Sequence, residues 1–176
     1  EAPAASSEVR YVGRTQTNGG DVSFDWSGTS FECRFTGGSL AMRVSDTKKN
    51  YYNLTVDGRD AGVVTTFGTD SVVVLAEKLG RGEHTVRMQK RTEGEQGRTT
   101  LRGVETDGAL LPLPAPRTRH IEFIGDSHTD GFKDYAGLNN ADYLCHNGLT
   151  VWSAVEKAEF PGKQTLAQAL SGKHYG

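Results

Sequence analysis

Over residues 9–106 the chain repeats one pattern: a short run of alternating apolar and polar residues, then a turn signal, about every eight to twelve residues. Alternation with period two is the mark of a strand that buries one face. Val22-Ser23-Phe24-Asp25-Trp26 alternates in this way. In the next run Phe31, Cys33 and Phe35 share one face, and Glu32 and Arg34 take the other. After Gly37-Gly38, Leu40, Met42 and Val44 alternate with Ala41, Arg43 and Ser45. Tyr52, Leu54 and Val56 then lead to Asp57-Gly58, a dipeptide favoured in two-residue hairpins because both positions accept positive φ. Residues 62–67 and 71–76 are two more apolar runs, and Gly80-Arg81-Gly82 is a turn. Val86 and Met88 alternate with Thr85, Arg87 and Gln89, and residues 99–106 read as a last strand. Roughly nine strands in about 100 residues is the density of a β-sandwich, so the pattern predicts a mainly β N-terminal domain.

The texture changes at Leu110-Leu111-Pro112-Leu113-Pro114-Ala115-Pro116. Clustered prolines fix φ and withhold backbone donors, which predicts a short stiff connector over residues 110–118. The chain thus divides into a β-sandwich, 1–109, and the opening of a second, α/β domain, 119–176. Within the latter, residues 133–162 show little periodicity and read as a long loop with one short helix near residues 151–157. Leu166, Ala167, Ala169 and Leu170 have helical spacing, predicting a helix over residues 163–174.

Composition narrows the function classes. The chain is 35% hydrophobic and 24% charged, as a soluble globular protein is, and its 22 glycines suit a turn-rich β fold. A net charge of −2 gives no footing for nucleic acid or an anionic membrane surface. No apolar run approaches the ~18 residues of a membrane-spanning helix. Cys33 and Cys145 are too few for a disulfide framework, and Cys33 sits on the apolar face of its strand. No His/Cys cluster has the spacing of a metal site. The opening Glu1-Ala2-Pro3-Ala4-Ala5-Ser6-Ser7 reads as a linker or as the start of a mature chain after signal-peptide removal.

The candidate chemistry lies just past the connector. Ile121-Glu122-Phe123-Ile124 reads as a buried strand, and Gly125 permits a sharp bend or a close backbone approach. Ser127 comes immediately after the strand's carboxyl end, where open α/β sheets place their ligands. A serine held there exposes its hydroxyl and turns its own N–H toward a developing oxyanion. Asp, Ser and Gly are also ordinary turn formers, so the tripeptide alone is also read as a plain strand-to-loop turn.

The block Gly125-Asp126-Ser127-His128-Thr129-Asp130-Gly131-Phe132 resembles the first block of the SGNH (GDSL-like) hydrolases, in the version carried by two-domain carbohydrate esterases. Position 128 is His where that version usually has an aliphatic residue. Asn50-Tyr51-Tyr52, followed by Asp57-Gly58, resembles a recurring segment of the second carbohydrate esterase family, whose jelly-roll β-sandwich precedes an SGNH hydrolase domain. The resemblance implies a serine esterase that removes acyl groups, acetyl foremost, from a polysaccharide or oligosaccharide, as acetylxylan esterases do. Ser127 would be the nucleophile, with its N–H in the oxyanion hole, and Gly125, Asp126 and Thr129 would support it. It implies no cofactor, no nucleic-acid or membrane partner, and a secreted or periplasmic location. The family's base histidine and the glycine and asparagine of its oxyanion hole come from later blocks, which residues 1–176 do not contain. The expectation is therefore either the N-terminal part of a longer enzyme or a fold that another segment completes.

Other residues are candidates with plainer readings beside them. Trp26, Tyr51 and Tyr52 suit sugar stacking, although core packing is the commoner use of such residues in strands. Arg87 and Lys90 read as a solvated strand face. Asn53-Leu54-Thr55 is a glycosylation triplet by accident of its position inside a strand. His128, His146 and His174 are the internal candidates for a base, while His84 and His120 read as structural. The rival to the esterase is a carbohydrate-binding or interaction module with a fragmentary hydrolase part. An SGNH lipase or thioesterase ranks third, since no lid-like apolar stretch is present.

Overall fold

The computed structural model describes residues 1–116 and 118, together with the strands His120–Phe123 and Gln164–Ala167. Ten strands form one antiparallel sheet: β1 (Ala2–Pro3), β2 (Val9–Val12), β3 (Gln16–Asn18), β4 (Asp21–Phe24), β5 (Ser30–Thr36), β6 (Leu40–Val56), β7 (Arg59–Ala76), β8 (Glu83–Lys90), β9 (Thr99–Thr106) and β10 (Leu110–Leu111). The main order is β10-β5-β8-β6-β9-β4-β3, with β2 also on β5, β1 on β9, and β7 on β6.

Strand β6 explains how one sheet becomes sandwich-like. Its residues 40–46 pair with β9, and its residues 52–56 pair with β8. One strand therefore serves both halves, and the sheet curls over between them. The corner lies between Asp46 and Asn50, where the register on β7 advances only from Gly68 to Thr66. Thr47, Lys48 and Lys49 stand against Phe67 alone, two residues more on the β6 side, a bulge that bends the strand. A matching break in β7 uses positive φ at Gly68 and Asp70, 73° and 54°. The sequence pattern predicts two strands on each side of this corner. The charged and glycine-containing breaks are instead kinks within two long strands, because the ladder resumes in the same direction beyond each.

Inside the curl lie the residues that the alternation places there. Phe31, Cys33, Phe35, Leu40, Tyr52 and Val86 are fully buried, and Met42, Val44, Met88 and Leu101 nearly so. A buried Phe or Leu contributes about 1.5–3 kcal/mol by leaving water. Burial, and then the neighbouring Glu32 charge, push the Cys33 thiol up to about 12. It stays protonated and inert. Asp57 and Gly58 have φ of 52° and 73°, the doubly positive hairpin turn that their identities predict. Strand β4 ends at Phe24, so Trp26 stands in the loop beyond it.

The connector is held against the sheet at its start. Leu110 and Leu111 pair with Phe35 and Arg34 of β5. The Arg34 guanidinium donates to the Pro112 carbonyl at 3.4 Å, and that of Arg10 donates to the Pro114 carbonyl.

Beyond it, β11 (His120–Phe123) pairs in parallel with β12 (Gln164–Ala167). The helix predicted over residues 163–174 is thus corrected where it is described: residues 164–167 are strand. Helical spacing of a few apolar residues is a weak preference, and a ladder partner overrides it. There is no α-helix among the described residues, whose one helical turn is the 3-10 segment Gly94–Gln96.

Candidate functional site

Ser127, Gly125, Asp126 and Thr129 lie outside the described residues, as do His128, His146, His174 and Cys145. What is described is the strand that leads to them: β11 ends at Phe123, and its neighbour runs parallel. The described residues offer a second constellation, built where β6 turns its corner.

Both oxygens of the Asp46 carboxylate are occupied there. Asn50 Nδ2 donates to Oδ1 at 2.7 Å, and Thr66 and Thr99 hydroxyls donate to Oδ2 at 2.8 and 2.6 Å. The Tyr52 hydroxyl bonds Thr99 Oγ1, and the Thr92 hydroxyl donates to Asn50 Oδ1. Asn50 Nδ2 also reaches the Gln96 carbonyl at 3.2 Å. Asp46, Asn50, Tyr52, Thr66, Thr92 and Thr99 are all buried. A buried polar group left without a partner costs about 1–3 kcal/mol, so this closed network fixes the corner that the broken ladder would leave loose. Burial, and then the Asp46 charge, hold the Tyr52 hydroxyl well above the usual phenol range.

Lys90 completes the corner. It is fully buried, and its Nζ donates to the Thr92 and Glu93 carbonyls at 2.8 and 3.0 Å. Burial pulls its ammonium down to about 8, against the opposing pull of Asp46, Glu93 and Asp25. The expected solvated position is therefore corrected for Lys90, while Arg87 is exposed. The reason is register: Lys90 faces inward opposite Tyr52 and finds carbonyls where a hydrophobe would find none.

The network positions three loops at one end of the sheet. The Gly28 N–H donates to the Lys90 carbonyl and the Lys90 N–H to the Thr29 carbonyl, both at 2.9 Å. The Arg91 N–H donates to the Tyr51 carbonyl at 2.9 Å, and Arg98 faces Asp25 at 3.7 Å. Two partly exposed aromatic rings stand in this region. The Arg14 guanidinium lies 5.7 Å from the Trp26 ring centre, and Lys49 Nζ lies 5.3 Å from that of Tyr51. Each ring is half-buried and has a cation over it. Tyr52, by contrast, is fully buried, as its core-packing reading expects.

His84 keeps its structural reading. Its Nδ1 lies 2.8 Å from Asp57 Oδ2 and its Nε2 lies 2.9 Å from the Gly80 carbonyl. The Asp57 carboxylate, and then the Gly80 carbonyl, favour the charged imidazolium and raise its pKa. With both nitrogens engaged, the pair ties the β6–β7 turn to the turn before β8 and has no nitrogen left to serve as a base. Asn53-Leu54-Thr55 lies inside β6, as its accidental reading requires. No group of three or more His, Cys, Asp or Glu suited to a metal ion occurs among the described residues.

Sequence reasoning missed the corner. The available signal was the charged run Asp46-Thr47-Lys48-Lys49-Asn50 between two apolar alternations, with threonines at 66, 92 and 99 to meet it.

Comparison with known proteins adds what the geometry alone cannot. The family profile described as "Carbohydrate esterase 2 N-terminal" matches residues 11–116. The chain is 35% identical to "Cellulase/esterase CelE" of Acetivibrio thermocellus across 71% of its own length and 16% of that protein. It is 37% identical to an "Acetylxylan esterase / glucomannan deacetylase" of Cellvibrio japonicus across 62% of its length and 30% of that protein. Among solved structures, a family two carbohydrate esterase from Clostridium thermocellum in complex with cellohexaose matches with a TM-score of 0.78 at 25% identity. That match covers 93% of this chain and 50% of the other. The chain thus spans less than a third of each of these two relatives, and half of that solved structure.

Proposed function

The chain belongs to the carbohydrate esterase 2 family, and on that premise we propose that it is the N-terminal part of a serine esterase that removes acyl groups, acetyl foremost, from carbohydrate. The observation that carries the reading is order. A β domain of this family is followed, after a proline-rich connector, by β11 and, one residue beyond its end, by Gly125-Asp126-Ser127. The parallel β11–β12 pair supports it, because parallel strands belong to α/β sheets and place functional groups beyond their carboxyl ends.

Ser127 Oγ attacks the ester carbonyl carbon, and a base takes its proton. The oxyanion rests in part on the Ser127 N–H. Collapse expels the sugar hydroxyl, protonated by that base, and leaves an acyl-serine that water hydrolyses. The base and the other oxyanion donors belong to later blocks, as in SGNH hydrolases. The reaction needs neither metal nor organic cofactor. Gly125 lets the backbone bend, and Asp126 and Thr129 brace the turn. The domain at residues 1–109 is a jelly roll, the connector is 110–118, and residues 119–176 open the hydrolase domain. An acetylated polymer is met outside the cytoplasm, which places the enzyme in the secreted or periplasmic space.

The test is hydrolysis of 4-nitrophenyl acetate and acetylated xylan by the full-length protein and its Ser127→Ala variant. The reading expects at least a thousandfold loss of kcat. Unchanged activity in the variant would sink it.

A second reading, glycan binding by the β domain itself, draws on Trp26 and Tyr51 at the loop end. Cellohexaose titrated into Ser127→Ala and into Trp26→Ala/Tyr51→Ala separates the two: binding lost only with the aromatic pair belongs to the β domain.

A further inference from the structure

The half-sheet β5-β8-β6-β7 is closed at one edge and open at the other. At the closed edge β5 carries β2 and β10, and the proline-rich connector follows β10. At the open edge lies β7, which pairs with β6 alone among the described residues. Edge strands are ordinarily guarded by charge, proline or shortness. Here the strand is 18 residues long, and residues 61–69 hold neither a charged residue nor a proline.

The ladder fixes which backbone groups stand open. The Arg91 N–H donates to the Tyr51 carbonyl at 2.9 Å, so Tyr51 turns its N–H and C=O toward the β8 side. Its partner on β7 is Thr65, and the two form a pair without mutual hydrogen bonds. Thr65 therefore turns its own N–H and C=O to the open edge. By alternation Val63 and Phe67 do the same. Gly62 and Gly68, at φ 96° and 73°, bound the regular run on both sides, and Thr65 is its midpoint. Val63 and Phe67 are also its exposed apolar side chains, at 53% and 66%.

A run with these properties is complementary to itself. Turned about a two-fold axis through Thr65, it pairs antiparallel with its copy. Thr65 then meets Thr65 of the copy, and Val63 meets Phe67 of the copy. All are hydrogen-bonded pairs that exchange two bonds each and use every open N–H and C=O of these residues. The Phe67 carbonyl, which accepts from Ser71 Oγ at 3.3 Å, has a second lone pair for the ladder. Val–Phe and Thr–Thr are favourable cross-strand pairs. The nearest charges on the strand, Asp60 and Asp70, lie beyond the two glycines.

We propose that the edge of β7 from Val63 to Phe67 is a contact between two copies of this chain, which join their sheets about Thr65. Two observations favour a second copy over the rest of this chain. The run matches itself, and the connector leaves from the opposite edge of the half-sheet, four strand spacings or ~19 Å away. A ladder this short falls below the ~1,200 Å² at which stable interfaces begin, so the dimer is weak and reversible. The proposal does not rest on esterase activity.

The test uses the full-length protein. Sedimentation equilibrium from ~10 μM to ~1 mM should show the mass rising toward twice that of one chain. Thr65→Lys sets like charges face to face at the axis and should hold the protein monomeric. A mass that stays at one chain, or a rise that Thr65→Lys leaves unchanged, would overturn the proposal. Thr65→Cys covers the case of a lysine variant that does not fold. Hydrogen-bonded pairs hold their Cα atoms ~5.5 Å apart, within reach of a disulfide. Mild oxidation should link two copies through position 65 several-fold faster than it links Val72→Cys through position 72. Equal rates, or no link through position 65, would overturn the assignment. A monomer whose introduced thiol resists alkylation would also overturn it, giving the edge to the rest of this chain.

Discussion

Both carboxylate oxygens of Asp46 are taken by donors from β6, β7 and β9, and Lys90 sits beside them with its ammonium on two carbonyls. This pairing has a measurable consequence through Lys90. Its pKa is about 8 in the folded chain against about 10.4 in an unfolded one. Between those values the unfolded chain holds a proton that the folded chain has released. Stability then rises with pH, because it rises wherever the unfolded state binds more protons. Comparing the folded protein with Lys90→Met at pH 8 and 9.5, we expect the urea midpoint of the unsubstituted chain to climb relative to the variant. Parallel profiles would contradict the buried, partly neutral Lys90. The residue scale is also where the sequence misleads most. Phe31, Cys33 and Phe35 are legible because alternation reports a buried face directly. Lys90 is not, since an inward lysine depends on carbonyls supplied by a loop whose shape no local pattern encodes.

At the scale of elements, strand existence is legible and strand continuity is not. The runs at residues 40–45 and 52–56 are both visible, yet they belong to one strand. Their joint contains a bulge whose hydrogen bonds come from distant threonines. The turn into β10 shows a related dependence on remote backbone. A methyl group on Gly108 would lie 2.1 Å from the Thr36 carbonyl oxygen, which is fixed in β5. Gly108→Ala should therefore lower stability by about 1–3 kcal/mol through overpacking. Gly80→Ala, whose methyl meets nothing within 4 Å, should be neutral in the same urea titration. Equal effects would mean that the β9–β10 turn yields freely. The parallel pairing of β11 with β12 was likewise hidden, because four residues of mixed polarity carry no period of their own.

At the scale of the whole molecule, labour is divided between a curled β domain and the segment beyond Thr118. The first is stabilised by an apolar core and one polar corner, and its family membership rests on residues 11–116. The second carries the proposed nucleophile. Its block stands out in the sequence as a glycine and a serine shortly after an apolar run, and it lies outside the described residues. The base does not, because no local pattern marks one among His128, His146 and His174, and the resemblance alone assigns it to a later block. The central claim is that Ser127 forms an acyl-enzyme. The most direct measurement is acid quenching of the full-length protein during turnover of 4-nitrophenyl acetate, followed by peptide mass spectrometry. The account predicts an acetyl group on the peptide containing Ser127, absent from Ser127→Ala. Rapid turnover with no acetyl group there, or with the acetyl group on another residue, would contradict it.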